Sequence, residues 1–418
     1  MFRPTFAVVD APAIRTNVAA VRSLLESHKR LLVAVKADGY GHGAAAAAEA
    51  ALAGGATDLG VASVEEAVAL READVTAPIL VLGVSSAVGV RQAAEFGVTV
   101  TLGRLEEVDE IDKIPWPTPS LIPTGACVES PGQSLRAKVH LKIDTGMSRL
   151  GVRSAADAVL LAKRIVSSER LELSGVFTHL ACADASSLAH AEAQIERFQE
   201  ALSALREAGI DPGVVHAANS AAALRRPDWH FDMVRVGIAA YGYGPAGAFD
   251  SPVPLVPALN LYSCVTRVAT LQAGDTVGYG ATFTAPREMR IATLPVGYAD
   301  GYFRILSNRA SVLFQGRRAA VVGNVCMDQL MVDVTALPEV TVGDCATLYG
   351  RSAPEDWTAE RLSAAAATDL NAFVGPAFFA GNSASILSLD ELADLAGTIS
   401  YELMCALSPR VPRVVVAL

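Results

Sequence analysis

Residues 31–43 read LLVAVKADGYGHG: five apolar residues, mostly branched, then Lys36, then Gly39, Gly41 and Gly43 in close succession. A short apolar run closed by glycine and aspartate has the pattern of a buried parallel strand rather than a helix. It predicts a strand over 31–37 with Lys36 at the carboxyl end, where α/β folds collect their chemistry. A lysine there loses hydration, which lowers its pKa and makes its amine a candidate nucleophile. The glycines let the backbone approach a ligand, with Tyr40 and His42 beside it. A strand-end lysine that snorkels to water fits the same residues, so this stretch alone does not choose.

Strand and helix patterns alternate outward from it. A short strand over 5–9 comes first, and Asp10 then has the form of an N-cap, with Pro12 inside a helix reaching about residue 28. Strand patterns follow over 58–62, 78–82, 98–102, 138–143, 173–179, 214–218 and 233–236, which with 31–37 makes eight. Helical patterns over 44–53, 65–72, 154–167 and 190–208 lie between them. Eight such units within about 240 residues predict an α/β fold beginning with an N-terminal (β/α)8 TIM-type barrel. The rival is a doubly wound open sheet. It calls for a glycine-rich dinucleotide fingerprint after its first strand, and Lys36-Ala-Asp-Gly-Tyr-Gly is not one.

Near residues 245–257 proline and glycine become frequent and the segments shorten. Strand-like runs over 260–271, 290–294, 319–322 and 329–334, separated by turns, predict a C-terminal mostly-β domain of roughly 170 residues. The expected organisation is a strand within 1–10 packing on the C-terminal domain, a barrel over 11–248 and the β domain over 249–418. Residues 114–133 and 353–382 read as insertions.

Composition narrows the partners. A net charge of −10 and a pI near 5.3 argue against nucleic acid and anionic membrane surfaces. Mean hydropathy is +0.34, yet no apolar run approaches ~20 residues, so no membrane helix is expected. The six cysteines are scattered without metal-ligand spacing, and no metal is expected. With no leader-like start, they point to a reduced, cytoplasmic compartment.

Polar residues recur at the carboxyl ends of the predicted barrel strands. Lys36 follows the first; Lys142, Asp144 and Arg149 follow the fifth; His179 ends the sixth; Asn219 and Ser220 end the seventh; Arg235 ends the eighth. One such residue is usually a satisfied structural group. Five strands contributing to one rim describe a site.

These motifs resemble the alanine racemase family, pyridoxal-phosphate enzymes with an N-terminal barrel and a C-terminal β domain. The resemblance rests on AVKADGYGHG (34–43), KIDTGMSRLG (142–151), FTHLACAD (177–184), AANSAA (217–222), RVGIAAYG (235–242), VGYGATFTA (277–285), LPVGYADGY (294–302), GNVCMDQ (323–329) and ISYEL, CAL and RVPR after 399. It spans nearly the whole chain apart from the two insertions. It implies racemisation of alanine by a homodimer with shared active sites, supplying D-alanine for peptidoglycan. Lys36 would carry pyridoxal 5′-phosphate covalently and act as one base. Tyr279 would be the base for the opposite face, reaching into the neighbouring subunit. Arg235 would face the pyridine nitrogen, and His179 and Asn219 would lie near the cofactor. Tyr40, Ser220, Tyr401 and the amides around Gly237 and Ile238 would hold the phosphate. Arg149 and the Met327 amide would take the substrate carboxylate. Tyr298, Cys326 and Asp328 would line the entrance, and Lys142 would be a candidate for carbamylation.

Simpler readings of single residues remain open at this level. Arg235 could pair with Asp232, His179 could be a backbone-satisfied core histidine, Ser220 could be a helix N-cap, and unmodified Lys142 could pair with Asp144. The chain also departs from the family around Ser408-Pro409, where an aromatic is usual, and at Gly39, where alanine is usual. A serine or broader-specificity racemase would share nearly every residue named. A fold-related decarboxylase would place a carboxylate where Arg235 stands.

Overall fold

The computed structural model describes residues 3–117, 135–245, 250–380 and 385–418; most of the expected 114–133 insertion lies outside them. The chain divides into two compact units, one of residues 14–39 and 44–256, the other of 1–13, 40–43 and 257–418.

The first unit is an eight-stranded parallel barrel. Its strands are Arg30–Ala34, Asp58–Val61, Ile79–Val84, Thr99–Leu102, Ala137–Lys142, Leu171–Phe177, Val214–His216 and Met233–Val236. They pair in chain order, and the last returns to pair with the first, Leu32 opposite Arg235. The seam between the last two strands is joined by the Asp232 amide on the Val215 carbonyl (3.0 Å) and the Arg235 amide on the Ala218 carbonyl (2.9 Å). Leu31, Leu32 and Val33 are fully buried, as expected of a parallel strand covered on both faces. Helices between the strands are capped as their sequences dictate. The side chains of Ser63, Ser86 and Ser154 each accept an amide hydrogen at a helix start.

Boundaries differ from expectation in two informative places. The first barrel strand ends at Ala34, three residues early, because the backbone turns left-handed from Ala37. The first helix, Ala11–Arg22, stops short of residue 28. There Arg22 turns its guanidinium onto the carbonyls of Glu26, Ser27 and Lys29, which holds the connection outside the helix.

The second unit is built on a seven-stranded sheet ordered Arg317–Ala320, Ser311–Phe314, Cys345–Arg351, Leu259–Cys264, Thr5–Asp10 and Arg413–Val416, with Ile386–Leu387 beside Cys345–Arg351. The N-terminal strand is thus interior, antiparallel to one neighbour and parallel to the other. The expected run over 260–271 is two strands in two sheets. Leu259–Cys264 belongs to the large sheet, and Arg267–Leu271 joins Met289–Leu294 and Leu330–Asp333 in a three-stranded one. Residues 353–382 include the helices Ala359–Ala366 and Leu370–Ala380, which bring Leu362, Val374 and Phe378 into the same core as Trp357, Phe6 and Tyr262. Among the described residues no helix is long and apolar enough to cross a membrane.

Candidate active site

The carboxyl rim of the barrel begins with the loop that carries Lys36. Val35 extends the ladder by one bond to the Gly60 carbonyl (2.8 Å). Ala37, Asp38, Gly39 and Tyr40 then all adopt left-handed φ between 52° and 61°. Each non-glycine residue held there costs roughly 1–2 kcal/mol, so the turn has to be held from outside. Glu66 accepts the Ala37 amide (2.8 Å) and the Ala62 amide (2.7 Å), while Asp38 accepts the Ala44 amide (2.9 Å). Strain of this kind gathers at functional positions. In the sequence Glu66 is indistinguishable from any solvent-facing helix glutamate, so its anchoring role emerges only from the fold.

Lys142 ends its strand buried, with Nζ donating to the Ile143 carbonyl at 2.7 Å. Burial first, then the charges of Arg235 and Arg149, pull its pKa down to about 7, against an opposing contribution from Asp144. Asp144 does not reach it by a hydrogen bond; its Oδ1 accepts the Ser148 (2.9 Å) and Gly146 (3.1 Å) amides. Burial raises the Asp144 pKa, but those amides with Lys142 and Arg153 outweigh it and hold the carboxyl below its ordinary value. This turn presents Arg149, which is exposed. The turn closes at Gly151, at φ 112°, where a Cβ would fall 2.5 Å from the Lys142 carbonyl oxygen. Gly151→Ala is therefore expected to cost roughly 3 kcal/mol of unfolding free energy. Chemical denaturation measures this, and an unchanged midpoint would mean that the turn shifts freely.

Arg235 is the buried hub. Its NH1 donates to His216 Nδ1 (2.8 Å), and its NH2 donates to the Thr178 carbonyl (2.8 Å), the Ala217 carbonyl (3.0 Å) and His179 Nδ1 (3.1 Å). Among the described residues no carboxylate pairs with it and its Nε–H meets no acceptor. Asp232 instead accepts the Val215 amide at 2.8 Å, so the Arg235–Asp232 pair does not form. Burial lowers the guanidinium pKa to about 9. A guanidinium only donates, so both imidazoles turn an unprotonated Nδ1 toward it. His216 then carries its proton on Nε2 and donates it to His140 Nδ1 at 2.9 Å. Both rings stay neutral: burial and nearby cations draw His140 down to about 3 and His216 well below its ordinary value. His140 and His216 were not among the residues singled out from the sequence. The available signal was the alternation of His140 with Lys142 on one face of their strand.

His179 ties the rim together. After burial, the charges that depress its pKa are those of Arg235, Arg149, Lys142 and Lys36, in that order. Four cations from three parts of the chain therefore bear on one neutral imidazole. Beside it, Asn219 caps the helix Ser220–Arg225 by accepting the Ala222 amide (3.2 Å) and donates to the Leu180 carbonyl (3.2 Å). Asn219, not Ser220, is the N-cap. Buried Ser220 accepts the Gly237 amide at 2.9 Å, joining this helix start to the short helix Ile238–Tyr241.

The remaining candidates lie in the second unit. Tyr40 is buried, 6.2 Å from Tyr401 between ring centroids, and burial raises its pKa. Tyr279 is 76% exposed on a turn of positive-φ residues, Gly278, Gly280 and Ala281, with its carbonyl held by Asn324 Nδ2 at 2.7 Å. It lines a cavity of about 600 Å³ with Cys326, Gln329 and Met331. The Cys326–Asp328 segment is locked to the next turn by the Tyr298 amide on the Cys326 carbonyl and the Ala299 amide on the Met327 carbonyl, both 3.0 Å. A Cβ at Gly297 would fall 2.2 Å from the Cys326 oxygen. The side chains of Tyr298 and Met327 remain exposed.

Asp300, fully buried, organises this group. It accepts Arg3 at both oxygens (2.7 and 3.0 Å) and the Gly297 amide (3.0 Å), while Arg410 bridges toward Asp328 at 2.6 Å. Asp300→Asn keeps an acceptor for Gly297 but leaves Arg3 without its counter-ion. With Arg3 partly exposed, a loss of about 2 kcal/mol is expected by denaturation; no loss would mean that the pair is solvent-screened.

A family model described as "Alanine racemase, N-terminal domain" matches residues 9–245, and one described as "Alanine racemase, C-terminal domain" matches 258–374. The chain belongs to the alanine racemase family. An alanine racemase of Symbiobacterium thermophilum is 43% identical over 98% of this chain and 97% of its own length. One from Desulfovibrio desulfuricans is 38% identical over 99% and 98%. The crystal structure of alanine racemase from Bacillus anthracis with bound L-Ala-P superposes with a TM-score of 0.84 at 36% identity, covering 100% of this chain and 96% of that one. The family is one of isomerases. Its barrel here has a second cavity, about 740 Å³, at the amino ends of the strands, lined by Arg30, Asp58, Arg71, Lys138 and others. There Arg30 pairs with Asp58, and Arg71 is spent on the carbonyls of Val75, Ala77, Phe96 and Gly97. The strained backbone and the neutral imidazoles stand at the opposite rim.

Proposed function

We propose that the chain interconverts L- and D-alanine with pyridoxal 5′-phosphate, Lys36 and Tyr279 serving as bases on opposite faces of the α-carbon. The observation that carries this reading is the rim on which Lys36, Lys142, Arg149 and Arg235 bear together on neutral His179. Among the described residues Arg235 meets no carboxylate, and it would face a ring nitrogen. The residues present fit the cofactor. Ser220, with the amides at the start of Ile238–Tyr241, offers donors for a phosphate. When bound, the cofactor supplies the electron-withdrawing ring that acidifies the α-hydrogen.

The chain's own residues then set the outcome. Arg235 stays a cation at neutral pH and hands no proton to the ring nitrogen, which restrains electron withdrawal and favours return of a proton to the α-carbon. A decarboxylase would need a carboxylate in its place. Arg149 takes the substrate carboxylate. Lys142, near half-neutral at pH 7, has the free amine needed to take up carbon dioxide as a carbamate, whose negative charge would orient Arg149. Tyr279, exposed on a preformed turn, serves the neighbouring subunit of a homodimer. A cytoplasmic role in supplying D-alanine for peptidoglycan follows from this reading.

Chiral chromatography of L-alanine incubated with the purified protein and pyridoxal phosphate tests it. Accumulation of D-alanine toward an equal mixture is expected. Turnover of serine but not of alanine would move the assignment to the broader-specificity alternative, and turnover of neither would overturn it.

A further inference from the structure

We propose that Cys264 and Cys345 are a latent cross-strand disulfide, closed by hydrogen peroxide, that staples the segment bearing Tyr279, Tyr298 and Met327. Cys264 ends the strand Leu259–Cys264 and Cys345 begins Cys345–Arg351. The strands are antiparallel neighbours whose register sets the two cysteines directly opposite each other. The Val265 amide bonds the Asp344 carbonyl at 2.9 Å. That bond flanks a pair of the non-hydrogen-bonded kind, in which opposed Cα atoms lie about 4.5 Å apart and side chains approach most closely. A disulfide spans Cα separations of about 4.4–6.8 Å, so no strand has to move.

Both side chains enter one buried cluster with Phe6, Tyr262 and Trp357. Both are free thiols, and racemisation uses neither. The loop that a bridge would close, residues 264–345, contains every candidate site residue of the second unit except Tyr40 and Tyr401. The inference is independent of the proposed reaction.

Cys345 is 7% exposed and Cys264 fully buried, so Cys345 is the point of entry. Its sulfur attacks one peroxide oxygen; the O–O bond breaks, a sulfenic acid forms and water leaves. The Cys264 sulfur then attacks the Cys345 sulfur; the S–O bond breaks and a second water departs with the Cys264 proton. Two thiols lose two electrons, and one peroxide becomes two waters. The neighbouring Cys264 thiol and burial hold the Cys345 pKa well above that of an ordinary thiol. Closure is accordingly slow, a staple formed under sustained peroxide rather than a fast sensor.

The test treats the holoenzyme with hydrogen peroxide, blocks residual thiols by alkylation and maps peptides by mass spectrometry. A Cys264–Cys345 linked peptide within one chain, lost on treatment with dithiothreitol, is expected. The thermal midpoint should rise by roughly 5 °C on bridging and fall back on reduction. In Cys264→Ala, and in Cys264→Ser should alanine not fold, Cys345 should instead be trapped by a dimedone-type reagent. Recovery of both cysteines unlinked after exposed Cys405 is fully oxidised would overturn the proposal, as would linkage of either to a different cysteine.

Discussion

Lys36→Ala is expected to lower kcat/KM for alanine by roughly 10⁴-fold or more, because in the proposed reaction one substitution removes both the covalent anchor and one of the two bases. The fold should survive. Lys36 is only half-buried and stands just before the left-handed stretch, whose supports come from Glu66 and Asp38. An unchanged thermal midpoint would separate chemical loss from unfolding. Chiral chromatography gives the rate, and partial recovery on adding a small primary amine would locate the defect in the missing amine. A variant within about tenfold of the parent would remove Lys36 from the base role, since general acid–base groups contribute typically 10²–10⁴-fold.

Tyr279→Phe tests the two faces of the proposed reaction. Its side chain is exposed and its turn is held through the backbone, by Asn324 on its carbonyl and by the glycines on either side. Loss of the hydroxyl should therefore cost little stability, within about 0.5 kcal/mol. Racemisation should fall by roughly 10²–10⁴-fold in both directions, because a proton must be removed on one face and delivered on the other. Exchange of the α-hydrogen with deuterated water should persist for the enantiomer whose hydrogen faces Lys36. NMR of each enantiomer in deuterium oxide measures this. Equal loss of exchange from both enantiomers would place Tyr279 outside the proton path.

The barrel was legible in the sequence because a parallel strand buried on both faces must be almost wholly apolar, as Leu31–Val35 is, and because glycine and aspartate mark where it stops. The rim was legible because polar residues recur at the ends of successive strands, and topology sends those ends to one face. The β domain was less so. Its strands are short and switch sheets, as at Val265–Thr266, where two adjacent strands read as one run. Ser311–Phe314, Cys345–Arg351 and Arg413–Val416 gave no pattern strong enough to stand apart, and the last finds its partner at Thr5–Asp10, some four hundred residues away.

What the sequence by itself determined was the set of chemical groups and the order of elements that carry them. Hydrophobic periodicity and turn chemistry are local, and they are written residue by residue. Tertiary structure alone decided which groups act on one another. It set Arg235 against His216 and His179 instead of Asp232, made Glu66 an anchor for the Lys36 turn, and drew Lys142 toward neutrality. Desolvation and charge depend on through-space neighbours, and those neighbours come from strands far apart in the chain.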